Sequence, residues 1–224
     1  MTTGQFAENQ FEQYLIDSKV EYRRISVASE PTPDFEIVLS GRRIVVEVKQ
    51  IDMNPEDRRV LAEIRAKQPA SYWIPNRVRG KLKHVSRQLQ AAAISGVPTM
   101  VLLCNNVPLH EHGNADEILD AMFGQTTYTV SWPEDRSAPP SVSRVSAGGS
   151  RAVTRSQNTS LSAVGVLGRA GSPNRLRIYH NPFARVEMPT ALFARVDAKQ
   201  FTVHHEPESQ LPSWREFAPN SSAG

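Results

Sequence analysis

Three ionisable side chains stand out in the stretch PTPDFEIVLSGRRIVVEVKQ, residues 31–50. Asp34 follows a proline, and Glu47 and Lys49 interrupt an otherwise apolar run, one residue apart. Side chains alternate faces along a strand, so Ile44, Val46 and Val48 point one way and Val45, Glu47 and Lys49 the other. Glu47 and Lys49 then lie side by side, about 7 Å apart along the strand. FEIVL (35–39) and RIVVEVK (43–49), joined by Ser40-Gly41, read as a hairpin. A turn near 40–42 brings Asp34, at the open end, to the level of residues 47–49.

Two carboxylates converging beside a lysine suit a hard divalent cation that takes oxygen ligands, Mg2+ with Mn2+ as a substitute. Such a cation activates water and offsets charge on a phosphate. The lysine orients or helps to deprotonate that water, or stabilises developing negative charge. The plain alternative is a salt-bridged strand in which Glu47 pairs with Lys49 or a nearby arginine and nothing is catalysed.

Other elements must hold these residues. Ala7, Phe11, Tyr14, Leu15 and Ser18 recur at helical spacing over 5–18. VEYRRISV (20–27) reads as a first strand. Asn54-Pro55 opens a helix over 55–67, as an N-cap followed by proline in the first turn. A long helix spans 77–94, with Leu82, Val85 and Leu89 as its apolar stripe. VPTMVLLC (97–104) is nearly continuous in apolar residues, as in a strand covered on both faces. A helix over 114–124 and strands at 128–132, 161–168 and 175–182 follow. Residues 133–160, rich in Pro, Ser, Gly, Ala and Arg, read as a flexible loop, and the tail after about 207 is expected to fray. The order implies a mixed α/β or α+β layer fold. The expected organisation is one domain over 1–206 with a tail over 207–224.

The chain has 224 residues, of which 39% are apolar and 22% charged, an ordinary soluble composition. No apolar run approaches the ~20 residues that cross a bilayer, and the N-terminus lacks the pattern of a secretory signal. Cys104 is the single cysteine, so an internal disulfide is impossible and a reducing cytoplasm is the expected setting. It closes an apolar run and reads as a small core residue. The net charge of +3 is unevenly spread: nine Lys/Arg against Glu63 lie between Arg58 and Arg87, and eight arginines with no acid lie between Arg136 and Arg185. Such local surplus favours a polyanion as partner.

The pattern PD-FEIVL…IVVEVK resembles the core motif of the PD-(D/E)XK nuclease superfamily, which includes many restriction endonucleases and Holliday-junction resolvases. The matching residues are Pro33, Asp34, Glu47 and Lys49, with twelve residues between the two acids. The resemblance covers about 5–105 and implies a restriction-endonuclease-like core, a central mixed sheet flanked by helices. It also implies an acid on the first helix, for which Glu8 and Glu12 compete. Glu8 lies nearer the apolar stripe and is preferred. Many members carry a glutamine on the helix after the motif, and Gln88 has the matching context, with Gln90 on the other flank. Arg77, Arg79 and Lys81 are candidates for phosphate contact. The segment 51–76 is longer than a minimal core needs and carries Tyr72 and Trp73, which either stack on unpaired bases or pin the loop.

The resulting expectation is a Mg2+-dependent nuclease acting on nucleic acid, DNA favoured. Asp34, Glu47 and Glu8 would hold the metal, Lys49 would act on water, and Gln88 would support the site. A duplex break needs two cuts, so a homodimer is one arrangement that would serve. The rival expectation is an inactive nucleic-acid-binding or assembly protein that keeps the fold. Outside this constellation, His110 and His112 straddle Glu111 in an H-x-H that lacks a clear third ligand. His204-His205 is no stronger as a metal signal, and His180-Asn181-Pro182 reads as a turn ending a strand.

Overall fold

The computed structural model describes residues 4–26, 32–71, 76–131, 141–169, 171, 175–205 and 212–217, with backbone alone at 86, 126–131, 141–148 and 205. Helix α1 (Gln5–Asp17) is followed by β1 (Glu21–Arg24) and by the hairpin β2 (Phe35–Leu39) and β3 (Arg42–Ile51). Ser40 and Gly41, both at positive φ (50° and 73°), form its two-residue turn, with Leu39 paired to Arg42. This is the turn whose twist matches that of the flanking strands. Then come α2 (Pro55–Arg65), α3 (Val78–Lys83), α4 (Ser86–Ile94), β4 (Thr99–Asn105) and α5 (Ala115–Phe123). Strands β5 (Gln125–Ser131) and β6 (Ser141–Gly149) pair with each other. Strands β7 (Ala163–Leu167), β8 (Leu176–His180), β9 (Ala198–His205) and β10 (Pro212–Glu216) complete the chain, with a 3-10 turn at Thr190–Phe193.

Eight strands form one mixed sheet in the order β1-β2-β3-β4-β7-β8-β9-β10. Strands β3, β4 and β7 run parallel at its centre. Helices cover both faces, which is why β4 is buried almost from end to end. Its Met100, Leu102 and Cys104 join Ile44, Val46, Val48, Phe35 and Phe11 beneath α1. Its Val101 and Leu103 join Val45, Ile51, Leu82, Val85, Leu89 and Ile118 beneath the later helices. Packing over β4 is close enough that a Cβ on Gly165 would stand 2.9 Å from Leu102 Cδ1. Cys104 is fully buried in this core, and burial pushes its thiol up to about 12, so the one cysteine is inert. No helix among the described residues is long and apolar enough to cross a membrane.

Three expectations fail on particular residues. The helix over 77–94 breaks at His84 and Val85, between α3 and α4. No proline or glycine marks this break. Its cause is tertiary, since α3 packs on α5 whereas α4 packs on β3 and β4. The segment 133–160, expected to be a flexible loop, contains β6, and Ala152 and Val153 beyond it are buried. Their amides donate to the Ala121 and Met122 carbonyls at the end of α5. Residues 132–140 lie outside the described residues.

The expected frayed tail contains β10, paired to β9. Trp214 anchors it, with its ring 5.0 Å from Tyr179 and 5.6 Å from Phe123 and its Nε1–H donating to the Ala115 carbonyl at 2.9 Å. Trp214→Ala removes both the ring contacts and this hydrogen bond. The expected loss is about 2–4 kcal/mol of stability in urea denaturation. A loss below ~0.5 kcal/mol, the range of a surface change, would mean that β10 is not anchored in this way.

Candidate active site

The hairpin register decides the geometry. Phe35 pairs with Val46, so Asp34 comes next to Glu47 at the end of the β2–β3 ladder. The Asp34 amide donates to the Val46 carbonyl at 3.2 Å. Its side chain continues the ladder where β2 has ended, Oδ2 accepting from the Val48 amide at 2.7 Å. Asp34 is thereby oriented by backbone, on the face that also carries Glu47 and Lys49.

Glu47 is only 2% exposed although it sits mid-strand. Its Oε1 accepts from Lys49 Nζ at 2.5 Å and from Gln88 Nε2 at 2.6 Å. Its Oε2 is buried and has no donor among the described residues. Burial and then the neighbouring Asp34 charge push the Glu47 carboxyl up to about 7, against the opposing pull of Lys49. Burial also raises Asp34, partly offset by the Val48 amide and Lys49. One buried and one half-buried carboxylate at one point with a single lysine leave negative charge under-compensated. All-oxygen donors of this kind match a hard cation.

Helix α1 reaches the same place by a specific tie. It starts at Gly4 without a side-chain cap of its own. Gln50, at the far end of β3, accepts from the Ala7 amide at 3.1 Å and so satisfies one of the helix's free N–H groups. That tie sets Glu8 beside the hairpin. Burial and the charge of Asp34 raise the Glu8 carboxyl, while Arg24 pulls it down. The same Arg24 reaches Glu8 at 3.3 Å, but Glu12 is its main partner. Glu12 accepts from Arg24 at 2.7 and 3.1 Å and from the Tyr22 hydroxyl at 3.1 Å, and the Arg24 hydrogen bond lowers its carboxyl. Gln90 is exposed, so of the two glutamines it is Gln88 that faces Glu47.

The arginines proposed for phosphate contact are placed differently. Arg77 donates to the buried Asp57 at 2.6 Å and to the Asp52 carbonyl at 2.9 Å, with 13% of its side chain exposed. A guanidinium enclosed this way holds the start of α3 to α2 and is not presented to a ligand. Arg79 turns toward α5, donating to the Asp120 carbonyl at 3.2 Å, and its Nε is buried. Sequence spacing put these residues on a basic face, but the break before α4 and the acids of α2 turn them inward. Lys81 is half-buried and forms no salt bridge among the described residues. Tyr72 and Trp73 lie outside the described residues.

Sequence reasoning missed Gln50 and Arg24, which place α1 rather than acting at the centre. It also left H-x-H without a partner. Glu117, in the first turn of α5, lies 3.0 Å from His112 Nδ1. Comparison with family models, with curated proteins and with solved structures returned no match.

The Glu47 carboxyl generates a stability test in chelator, without metal. Its folded value of about 7 lies above its ordinary value of 4.5. Below about pH 4.5 the group is protonated whether the chain is folded or not, and its contribution is complete. As pH rises toward about 7 the unfolded chain gives up the proton first, and stability falls. Above that the decline levels off, at a total on the order of 3 kcal/mol. Glu47→Gln carries no proton to lose. Urea denaturation from pH 5 to 8 should therefore show the variant gaining on the wild type as pH rises. Parallel profiles would contradict the burial and charge assigned to Glu47.

Proposed function

We propose that this chain is a divalent-metal-dependent nuclease of the PD-(D/E)XK type that hydrolyses phosphodiester bonds, with DNA as the favoured substrate. One observation carries the reading. Glu47 is buried, has one oxygen held by Lys49 and Gln88, keeps its other oxygen without a donor among the described residues, and stands next to Asp34 in the hairpin register. A salt-bridged strand needs the first half of that arrangement and gains nothing from the second.

Asp34 and Glu47, assisted by Glu8, would hold Mg2+, which supplies water activation and charge neutralisation at the scissile phosphate. Gln88 fixes the orientation of Glu47 by donating to Oε1, and the Val48 amide does the same for Asp34. Lys49 donates to Glu47, which sets its ammonium at the edge of the acid pair. From there it orients the attacking water and offers positive charge to the phosphate oxygens as charge builds in the transition state. Glu47 reaches its ionised form near neutral pH, so the centre gathers its full negative charge only above about 7. The surplus of Lys/Arg between Arg58 and Arg87 favours a polyanionic substrate. Within that run Lys81 is the phosphate contact of choice, because Arg77 and Arg79 are enclosed. One centre cuts one strand, so a double-strand break calls for two copies or two encounters.

The direct test is cleavage of single- and double-stranded DNA and RNA with Mg2+ or Mn2+. Asp34→Ala and Lys49→Ala are each expected to lower the rate by at least ~100-fold, the lower end for loss of a positioned catalytic group. Cleavage unchanged by both substitutions would sink the assignment. Salt-sensitive binding with no cleavage under any metal would favour the inactive nucleic-acid-binding reading instead.

A further inference from the structure

A second group of ligating side chains lies after β4, on a loop that the proposed reaction does not use. The metal-binding atoms of His110, His112 and Glu117 lie within 4.8 Å of one another. Local sequence explains the convergence. Asn105 donates from Nδ2 to the His110 carbonyl at 2.8 Å and so fixes the returning loop. Asn114 accepts from the Glu117 amide at 2.9 Å and starts α5, placing Glu117 in its first turn. Glu117 then reaches back. Its Oε2 accepts from the Gly113 amide at 2.8 Å, and its Oε1 accepts from the Arg77 amide at 3.2 Å.

Glu117 Oε1 also meets His112 Nδ1 at 3.0 Å. With the Gly113 and Arg77 amides donating to it, Glu117 stands as the acceptor at His112 Nδ1, so a neutral His112 carries its proton there and has its lone pair on Nε2. That Nε2 is buried and has no partner among the described residues, in a residue 1% exposed. His110 stands edge-on to it, the ring centroids 4.8 Å apart at 78°. Both rings line a pocket of about 620 Å³ at the C-terminal ends of β4 and β7, bordered by Asn105, Leu109, Gly168 and Arg177.

We propose that His110 and His112 form a binding site for a zinc-class divalent ion, oriented by Glu117 and open to this pocket. Imidazole nitrogens select zinc, nickel or copper over magnesium. A histidine ligand whose other nitrogen is held by a carboxylate is the recurrent way to fix such a ring. Both Glu117 oxygens already accept hydrogen bonds, so Glu117 serves His112 and not the ion. The two rings are 4.8 Å apart by their centroids, and rotation of His110, the more exposed of the two, would bring a nitrogen to an ion held on His112 Nε2. The pocket admits the ion and leaves its remaining positions to water. The proposal is independent of the Asp34–Glu47 centre, which offers oxygen ligands alone.

The test is a Co2+ titration of the full chain in excess Mg2+, which occupies oxygen-ligand sites and leaves imidazoles open. One equivalent of Co2+ with ligand-field absorption, displaced by Zn2+, is expected. His110→Ala should abolish the absorption while leaving the circular dichroism unchanged. Glu117→Gln should weaken affinity by about 10–100-fold, the loss expected when an orienting partner is removed. Absence of one-equivalent binding, or binding that His110→Ala leaves intact, would overturn the proposal. His110 is half-buried on a loop, so this variant reads ligation and not folding.

Discussion

The structure turns on a carboxylate that burial should forbid. Glu47 sits in the strand at the middle of the sheet, between Val45 and Ile51 on a face covered by helices, and is 2% exposed. Removing a carboxylate from water costs several kcal/mol unless its oxygens are matched. Lys49 and Gln88 match one oxygen, and the other has no donor among the described residues. With Asp34 alongside, the metal-free protein resolves this by holding a proton on Glu47 up to about neutral pH. A cation would resolve it as well.

The neighbouring elements follow from that demand. Strand β3 needs helices on both faces, and each contributes to the same end of the hairpin. Helix α1 arrives through Gln50, which gives its first turn the acceptor it lacks; Arg24 bonds both of its acids, and Glu8 is the one whose carboxyl the Asp34 charge raises. On the opposite face, an unbroken helix over 77–94 would have to serve α5 and the sheet with one stripe. The break at His84–Val85 separates the tasks, with α3 on α5 and α4 on β3, and Gln88 in the first turns of α4 reaches Glu47.

What could be read from sequence is local in origin. A period of two places Glu47 with Lys49, and the Ser40-Gly41 turn sets the register that brings Asp34 to Glu47, so the convergence of these three side chains is legible without knowledge of the packing. The preference for Glu8 over Glu12 rests on helical phase. The unread parts depend on partners distant in the chain. Arg77 looked like a surface cation until Asp57, twenty residues earlier, enclosed it. Strand β10 carries little apolar signal of its own and is ordered by Trp214 against Tyr179, Phe123 and Ala115. The H-x-H pair lacked its third member because Glu117 belongs to the next helix and bends back past its own cap. That Asn114-x-x-Glu117 resembles a capping box was the available signal, shifted by one residue toward Gly113.

The proposed metal centre joins the half-buried Asp34 to the buried Glu47. A crystal structure with Mn2+ and its anomalous signal tests it most directly. The account predicts an anomalous peak in contact with both Asp34 and Glu47, beside Lys49, at a pH above about 7 where Glu47 is ionised. Crystals in which Mn2+ at saturating concentration leaves that pair bare, with Lys49 still bound to Glu47 and no peak between the acids, would contradict it.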